Sequence, residues 1–465
     1  MNHLDHVLSE TLTARGPVVI AGAGQAGALL AIYLARAGCE VVMYESRPDL
    51  RRVDIDAGRS INLALATRGI VPLVDVGVIE SVDEITIPMR GRMVHIDGDP
   101  TPDLQPYGTQ PHEVIHSVSR TDLNAILLDA AEATGRVSIE FETRIESVDL
   151  ERNTIAFANR EAAPFGVIFG ADGAGSRVRK AMAKAGSCSF HTEWLDHDYK
   201  ELEIAPNSDG SHQLDPHALH IWPRGELMLI ALANPAGDFT VTLFAPKTTF
   251  AKLTTADAVD DFFAHEFGDF VPLIPNIAEQ FMENPTGRIG TLRVDGWSHE
   301  DRAVLVGDSA HAIVPFHGQG MNAALESVRS LVGHLSERVH AGGTVADAFS
   351  AYESERTPDA HAIAEMALNN YVEMRSGVTD PDYLAGRSLA LDLESRHSEH
   401  ISPRYNMVMF ATMPYAEARD RADAQAAIIT DALANPDIDA DQLVRALPPL
   451  PPLDPLADPE ALSTS

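Results

Sequence analysis

Cysteine is almost missing from this chain: two residues in 465, Cys39 and Cys188, and neither belongs to a C-x-x-C pair. That scarcity argues against a disulfide framework, a zinc knuckle and a dithiol redox centre. Basic charge is scarce as well. Lys and Arg total 35 against 68 Asp and Glu, a formal net charge of −33, so nucleic acid and anionic membrane surfaces would be repelled. No apolar run approaches the roughly 20 residues of a membrane helix. Met1 to Arg15 is polar and lacks the apolar stretch of a signal peptide. His311, His217 with His220, and His397 with His400 come without a carboxylate or cysteine set, so no metal is expected. No internal repeat is visible. These absences predict a protein of the reducing cytoplasm with no nucleic-acid and no membrane partner.

What is present is a dinucleotide pattern in its proper setting. Pro17 to Ala21 is a buried-strand run, Gly22-Ala23-Gly24-Gln25-Ala26-Gly27 follows, an Ala/Leu-rich helix reaches Gly38, and Glu40 to Tyr44 is the next strand, ending at Glu45. This is a β-α-β unit whose glycines permit the tight turn, the approach of a pyrophosphate, and close helix–strand packing. Glu45 can accept hydrogen bonds from a ribose hydroxyl. Arg47 reads equally as a sensor for the 2′-phosphate of NADP or as an adenine-side contact to FAD. Further on, Ser119 to Asp122 caps a helix from Leu123 to Ala133, and short strands fall near 137–158. Phe165 to Phe169 closes on Gly170-Ala171-Asp172-Gly173. From about 190 to 295 alternating apolar strands take over. Leu227–Leu232 and Phe239–Phe244 form a hairpin of a half-buried antiparallel sheet, and beyond about 345 the chain is helical. The length allows two or three structural units. The predicted class is α/β: a Rossmann-type dinucleotide domain, an inserted antiparallel β-sheet domain, and a C-terminal helical region.

A third loop stands at Ala303 to Glu326, where an apolar run ends in Gly307-Asp308 and Pro315-Phe316-His317-Gly318-Gln319-Gly320 opens onto a helix at Met321. Helix N-termini and glycine loops favour electron-rich or anionic ligands. Taken with Gly22–Gly27 and Asp172-Gly173-Ala174-Gly175-Ser176-Arg177, it resembles the single-component flavoprotein aromatic hydroxylases, which bind FAD tightly and without a covalent link. The resemblance implies FAD contacts from Gly22, Gly24, Gln25, Ala26, Gly27, Tyr44, Glu45, Ser46, Arg47, Ala64, Arg120, Ile145, Asp172, Arg177, Asp308, Gly320, Met321 and Asn322. Asp308 would hold the ribityl chain, and the Met321-Asn322 helix start would face the flavin pyrimidine ring, stabilising its reduced form by about 1–2 kcal/mol. No second fingerprint for NAD(P)H is present, as in those hydroxylases, where the nicotinamide co-substrate docks transiently.

Longer stretches are similar to the kynurenine 3-monooxygenase family: Gly58–Leu65, Ile87–Met93, Pro106–Thr109, Leu219–Arg224, Pro315–Asn322 and Asn370–Arg375, over about residues 17–420. The family implies that the amino-acid end of L-kynurenine is held by Arg92, Tyr107, Asn370 and Tyr405. A carboxylate leaving water needs a guanidinium fork. Arg90 would share a strand face with Arg92, and the family motif chooses Arg92. Leu219, Ile230, Leu232, Phe244, Pro315 and Phe316 would form an apolar ring pocket, plain core packing being the alternative for each. His317 lines it; a catalytic proton role is open, because the aniline amino group already activates the ring. The implied reaction is NADPH- and O2-dependent hydroxylation at ring position 3 through a flavin C4a-hydroperoxide. A ring-methylated kynurenine, a phenolic acid, and a non-oxygenating flavin dehydrogenase are the alternatives. The expected boundaries are 1–75, 108–182 and 296–375 for FAD binding, 76–107 and 183–295 for the substrate sheet, 376–445 for the helical region, and a disordered tail at 446–465. Eukaryotic members carry a C-terminal membrane anchor; the Pro/Asp-rich tail from Leu447 predicts none here. NADPH against NADH and the assembly state, a homodimer included, stay open.

Overall fold

The computed structural model describes residues 3–53, 62–108, 113–375, 380–435 and 437–451; Gly58–Ile61, Thr109 and the chain beyond residue 451 lie outside them. Strand Val18–Ala21 is apolar throughout because both its faces are covered. It pairs in parallel with Val41–Tyr44 on one side and Val167–Gly170 on the other. The complete sheet runs Ser298–His299, Ala303–Leu305, Val167–Gly170, Val18–Ala21, Val41–Tyr44, Val137–Glu140, parallel except at its first strand. Three adjacent strands therefore end in the three glycine-bearing loops. Motifs far apart in sequence converge at the carboxyl edge of one sheet, where open α/β sheets bind ligands.

The second large sheet has seven strands, in the order Thr286–Asp295, Ser189–Ile204, Phe239–Pro246, Leu227–Ala233, Leu219–Arg224, Gly91–Val94, Asp103–Pro106. The expected hairpin is present, with Leu229 opposite Leu243 and Ala231 opposite Val241. One departure from the strand-only expectation lies between 247 and 283, where helices Ala256–Glu266 and Ile277–Glu283 cover the back of the sheet with Val259, Phe263, Ile277 and Phe281. A second concerns Arg90. Thr86–Met89 and Gly91–Val94 are strands of different sheets, so Arg90 sits at their junction and is exposed, whereas Arg92 is buried. They do not share a strand face.

Helices Val345–Arg375, Pro381–His397, Arg404–Met409, Tyr415–Ala434 and Ala440–Arg445 close the molecule. Among the described residues no helix is long and apolar enough to cross a membrane, and no group of three or more His, Cys, Asp or Glu could hold a metal. The helical region is fastened by buried ions. Arg68 Nη1 meets Glu326 Oε1 at 2.8 Å, Arg356 Nη2 meets Glu326 Oε2 at 2.7 Å, and Arg356 Nη1 meets Asp359 at 3.0 Å. Arg68 also donates to the carbonyls of Val408, Met407 and Met413 and lies 4.0 Å over the Tyr415 ring. Burial works against the Glu326 charge, but the two guanidinium groups hold its carboxyl below the usual range. Glu326→Leu should leave two buried arginines short of a countercharge and lower the unfolding free energy by about 3–5 kcal/mol, read by urea denaturation of the purified protein.

Candidate active site

A cavity of about 890 Å³ runs from the carboxyl edge of the parallel sheet to the inner face of the seven-stranded sheet. At its dinucleotide end the glycine requirements are explicit. Gly22 has φ +96°, and a Cβ there would lie 2.4 Å from the Ala171 carbonyl oxygen; a Cβ on Gly27 would lie 2.2 Å from that of Gly22. Gly24 has open space above it, a cradle in which a phosphate can approach the main chain. Glu45 Oε2 accepts from the Ala23 N–H at 3.0 Å, and Oε1 accepts from Arg47 N–H at 2.9 Å and Arg47 Nε at 3.0 Å. Burial disfavours its charge, but Arg47 and these amides hold the carboxyl below the usual range. Arg47 is thereby engaged with Glu45.

Asp172 Oδ2 accepts from the Arg177 N–H at 2.6 Å, while its buried Oδ1 has no partner. Burial raises Asp172, whereas Asp308 is exposed and lines the cavity. Tyr44, Ser46, Ala64, Ile145, Arg120, Arg177, Gln25, Ala26, Gly320 and Met321 also line the cavity. Gly27 does not; its part is the helix–strand contact above. Asn322 does not either. Its side chain turns inward, Oδ1 accepting from Ala66 N–H at 2.9 Å and Nδ2 donating to the Ala64 and Gly318 carbonyls at 2.8 Å each. The Asn322 side chain is thus structural, and Met321 at the same helix start lines the cavity.

At the other end Arg92, 3% exposed, pairs through Nη1 with Glu373 Oε1 at 3.3 Å and lies 4.6 Å over the Tyr405 ring; its Nε has no partner. Glu373 also receives the Tyr383 hydroxyl at 2.6 Å and Arg404 Nη2 at 2.8 Å. Sequence reasoning passed over Glu373, although it stands three residues after Asn370, on the same helix face. Tyr405 is sandwiched: Tyr107 stacks at 5.2 Å and His317 at 5.1 Å. Tyr107 lies outside the cavity lining, behind Tyr405. Asn370 donates to the Phe316 carbonyl at 2.7 Å. Leu219, Ile230, Leu232, Phe244, Pro315 and Phe316 all face the cavity, together with Met228, Thr240 and Thr242, which the sequence reading did not name. Phe244 and Phe316 meet edge to face at 5.0 Å.

His317 is 2% exposed, and neither ring nitrogen has a partner among the described residues. Burial lowers it to about 3, and lowers His311 to about 4. Both sit below the unfolded value of about 6.5, so the unfolded chain binds the extra protons. Stability is therefore full above that value and falls as the pH drops, by up to about 1.4 kcal/mol per pH unit for each ring. The midpoint of thermal unfolding should decline from pH ~7.5 to pH ~5, and His317→Phe should make the decline shallower.

The description "FAD binding domain" matches residues 15–367. The kynurenine 3-monooxygenase of Stenotrophomonas maltophilia (strain K279a) is 47% identical over 414 residues, 87% of this chain and 90% of that one. Its namesake in Xanthomonas axonopodis pv. citri is 45% identical over 424 residues, 89% and 92% of the two chains. Among solved structures, tetrameric 2-methyl-3-hydroxypyridine-5-carboxylic acid oxygenase superposes with a TM-score of 0.65 at 19% identity, covering 79% of this chain and 95% of its own. Pseudomonas aeruginosa PqsL, in complex with 2-aminobenzoylacetate, gives 0.64 at 21%, covering 77% and 96%. At such identities the two structures establish the shared fold alone. The curated relatives match nearly end to end at far higher identity, and on them the chain belongs to the kynurenine 3-monooxygenase family of FAD-binding proteins.

Proposed function

We propose that this chain is an FAD-dependent monooxygenase that converts L-kynurenine to 3-hydroxy-L-kynurenine with NADPH and O2. One observation carries the substrate: the buried Arg92 guanidinium lines the apolar slot with Nε unpartnered, while half-buried Glu373, 3.3 Å away and outside the cavity lining, balances its charge. A free amino acid presents a carboxylate, and a buried guanidinium with an unused N–H is suited to receive it. Arg92 would fork to the substrate carboxylate, with Tyr405 beneath it and Asn370 alongside, while Glu373 would hold the guanidinium in place from outside the cavity. Each charge neutralises the other, which limits the cost of burying them. Tyr107 buttresses Tyr405 from behind. The aryl ring would lie among Leu219, Ile230, Leu232, Phe244, Pro315, Phe316 and His317.

The residues at the dinucleotide end fit FAD. The open Gly24 turn and the starts of helices Gln25–Arg36 and Gly320–His340 suit its phosphates and pyrimidine edge. Glu45 suits a ribose, and Asp308 the ribityl chain. Bound FAD supplies the redox chemistry, accepting hydride from NADPH and delivering an electrophilic oxygen from O2. The protein's task is to orient the ring and exclude water. The substrate's own amino group activates the neighbouring carbon, so the neutral His317 is assigned a wall and stacking role. Cys39 and Cys188 are unpaired, and with them we assign the enzyme to the cytoplasm.

Purified protein should be yellow, and its NADPH oxidation should accelerate with L-kynurenine and yield the 3-hydroxy product. No acceleration, or peroxide without hydroxylated product, would overturn the reading. Arg92→Ala should weaken kynurenine binding roughly ten- to hundred-fold, the loss of a charge-assisted contact of about 1.5–3 kcal/mol. FAD content should stay unchanged; loss of flavin would place Arg92 at the wrong end of the cavity.

A further inference from the structure

Residues that line the cavity and are also exposed to solvent mark its mouth. In a chain of net charge −33 they include Arg120, Arg144, Arg177 and Arg288. None of these four has a carboxylate partner among the described residues, whereas Arg47, Arg224 and Arg293 each do. Three of the four belong to the parallel-sheet side. Arg144 adjoins Thr143, whose N–H binds the Glu45 carbonyl at 2.7 Å, and Arg120 and Arg177 open helices Arg120–Ala133 and Arg177–Lys184. Arg288 is the exception. It stands on strand Thr286–Asp295, at the edge of the other sheet.

The Arg288 guanidinium lies 3.8 Å over the ring of Trp194, which is 52% exposed. Trp194 pairs in register with Gly290, where a Cβ would come 2.8 Å from the indole; glycine there lets the ring lie flat on the strand. Both Arg288 and Gly290 line the cavity. The other two tryptophans, Trp222 and Trp297, are 1% exposed. A solvent-exposed aromatic plate with a cation that has no carboxylate partner among the described residues is an odd thing to leave on an acidic surface, unless an anionic, ring-bearing ligand visits it.

The proposed reaction calls for one. Its reductant carries several phosphate charges and two planar rings, and the overall field of the protein repels it. The sequence offers it no second glycine-rich phosphate turn. A local guanidinium can steer and hold a phosphate, and a half-exposed indole offers a base an aromatic contact. We propose that Arg288 and Trp194 form the docking site for NADPH, with a phosphate on Arg288 and one of its rings against Trp194. This rests on the functional reading above.

The test uses the FAD-loaded protein. Because Trp194 is the exposed tryptophan, titration with NADP+ should quench tryptophan fluorescence saturably, and Trp194→Phe should remove most of that quenching. Arg288→Ala should weaken NADP+ binding about ten-fold and raise KM for NADPH by a similar factor, the worth of one charge-assisted contact. FAD content and kynurenine affinity should not change. Added salt should weaken NADP+ binding less in Arg288→Ala than in the wild type. Unchanged NADP+ affinity and KM in Arg288→Ala would overturn the docking site, as would an equal loss of kynurenine affinity. If the wild-type protein oxidises NADPH without response to kynurenine, the functional reading fails; if it responds and Arg288→Ala is silent, the docking site alone fails.

Discussion

Three hydrogen bonds from one buried amide hold the site together. Asn322 is fully buried and ties the start of helix Gly320–His340 to strand Asn62–Leu65, through Ala64 and Ala66, and to the Gly318 carbonyl of its own loop. Gly69 makes room for it: a Cβ there would lie 2.4 Å from Asn322 Oδ1. The loop so fixed, Pro315 to Gly320, is wall to both ends of the cavity. From the far side Asn370 holds the Phe316 carbonyl and Tyr415 donates to Gln319 Oε1 at 2.7 Å. A loop that must position a cofactor edge and a substrate ring together cannot drift, since misplacement of about 1 Å is costly to a reaction that depends on alignment. Each amide is spent on rigidity, leaving main-chain N–H groups to face the ligand.

The same division of labour governs the ions. Arg68, Glu326, Arg356 and Asp359 are paired to one another outside the cavity lining, and they fasten the C-terminal helices, with Tyr405 among them, to the body of the protein. Arg92 and Glu373 are paired too, but their pairing is incomplete: Arg92 Nε has no partner, and the Arg92–Glu373 contact of 3.3 Å is looser than the 2.7 and 2.8 Å contacts at Glu326. A fully satisfied buried network is rigid, while an under-satisfied one is ready to exchange partners. The clamp is of the first kind and the Arg92–Glu373 pair of the second.

Legibility in the sequence followed the strictness of local rules. Gly22, Gly24 and Gly27 were readable because their positions exclude a side chain or keep the main chain open, and Ser119 because a capping hydroxyl has few substitutes; it accepts from the Asp122 N–H as the pattern requires. That Gly22, Asp172 and Asp308 meet was not readable from spacing, since it depends on strand order. Ile87 to Val94 looks like one strand, and only the change of sheet at Arg90 separates an exposed arginine from a buried one. Asn322 illustrates the converse. Its position at a helix start suggested a ligand contact, and its side chain, with two donors and an acceptor, binds three backbone groups instead of lining the cavity. Glu373 was hidden because its partners, Arg92, Tyr383 and Arg404, come from three separate segments.

The two ends of the cavity differ in what they can specify. At the amino-acid end, charges withdrawn from water reject any ligand that leaves one of them unmatched, and such mismatches are severe. At the ring end the walls are Ile230, Leu232, Phe244 and Phe316, and apolar walls separate a ring from its methylated analogue by only about 1–3 kcal/mol. Thr240 and Thr242 stand among them, opposite Leu232 and Ile230 on the neighbouring strand, and give that wall a polar strip. Commitment to an α-amino acid is thus strong, and commitment to a given ring substituent is weak. Selectivity between kynurenines then falls to where the ring sits relative to the oxygen donor, a matter of geometry set by the Pro315–Gly320 loop rather than of affinity.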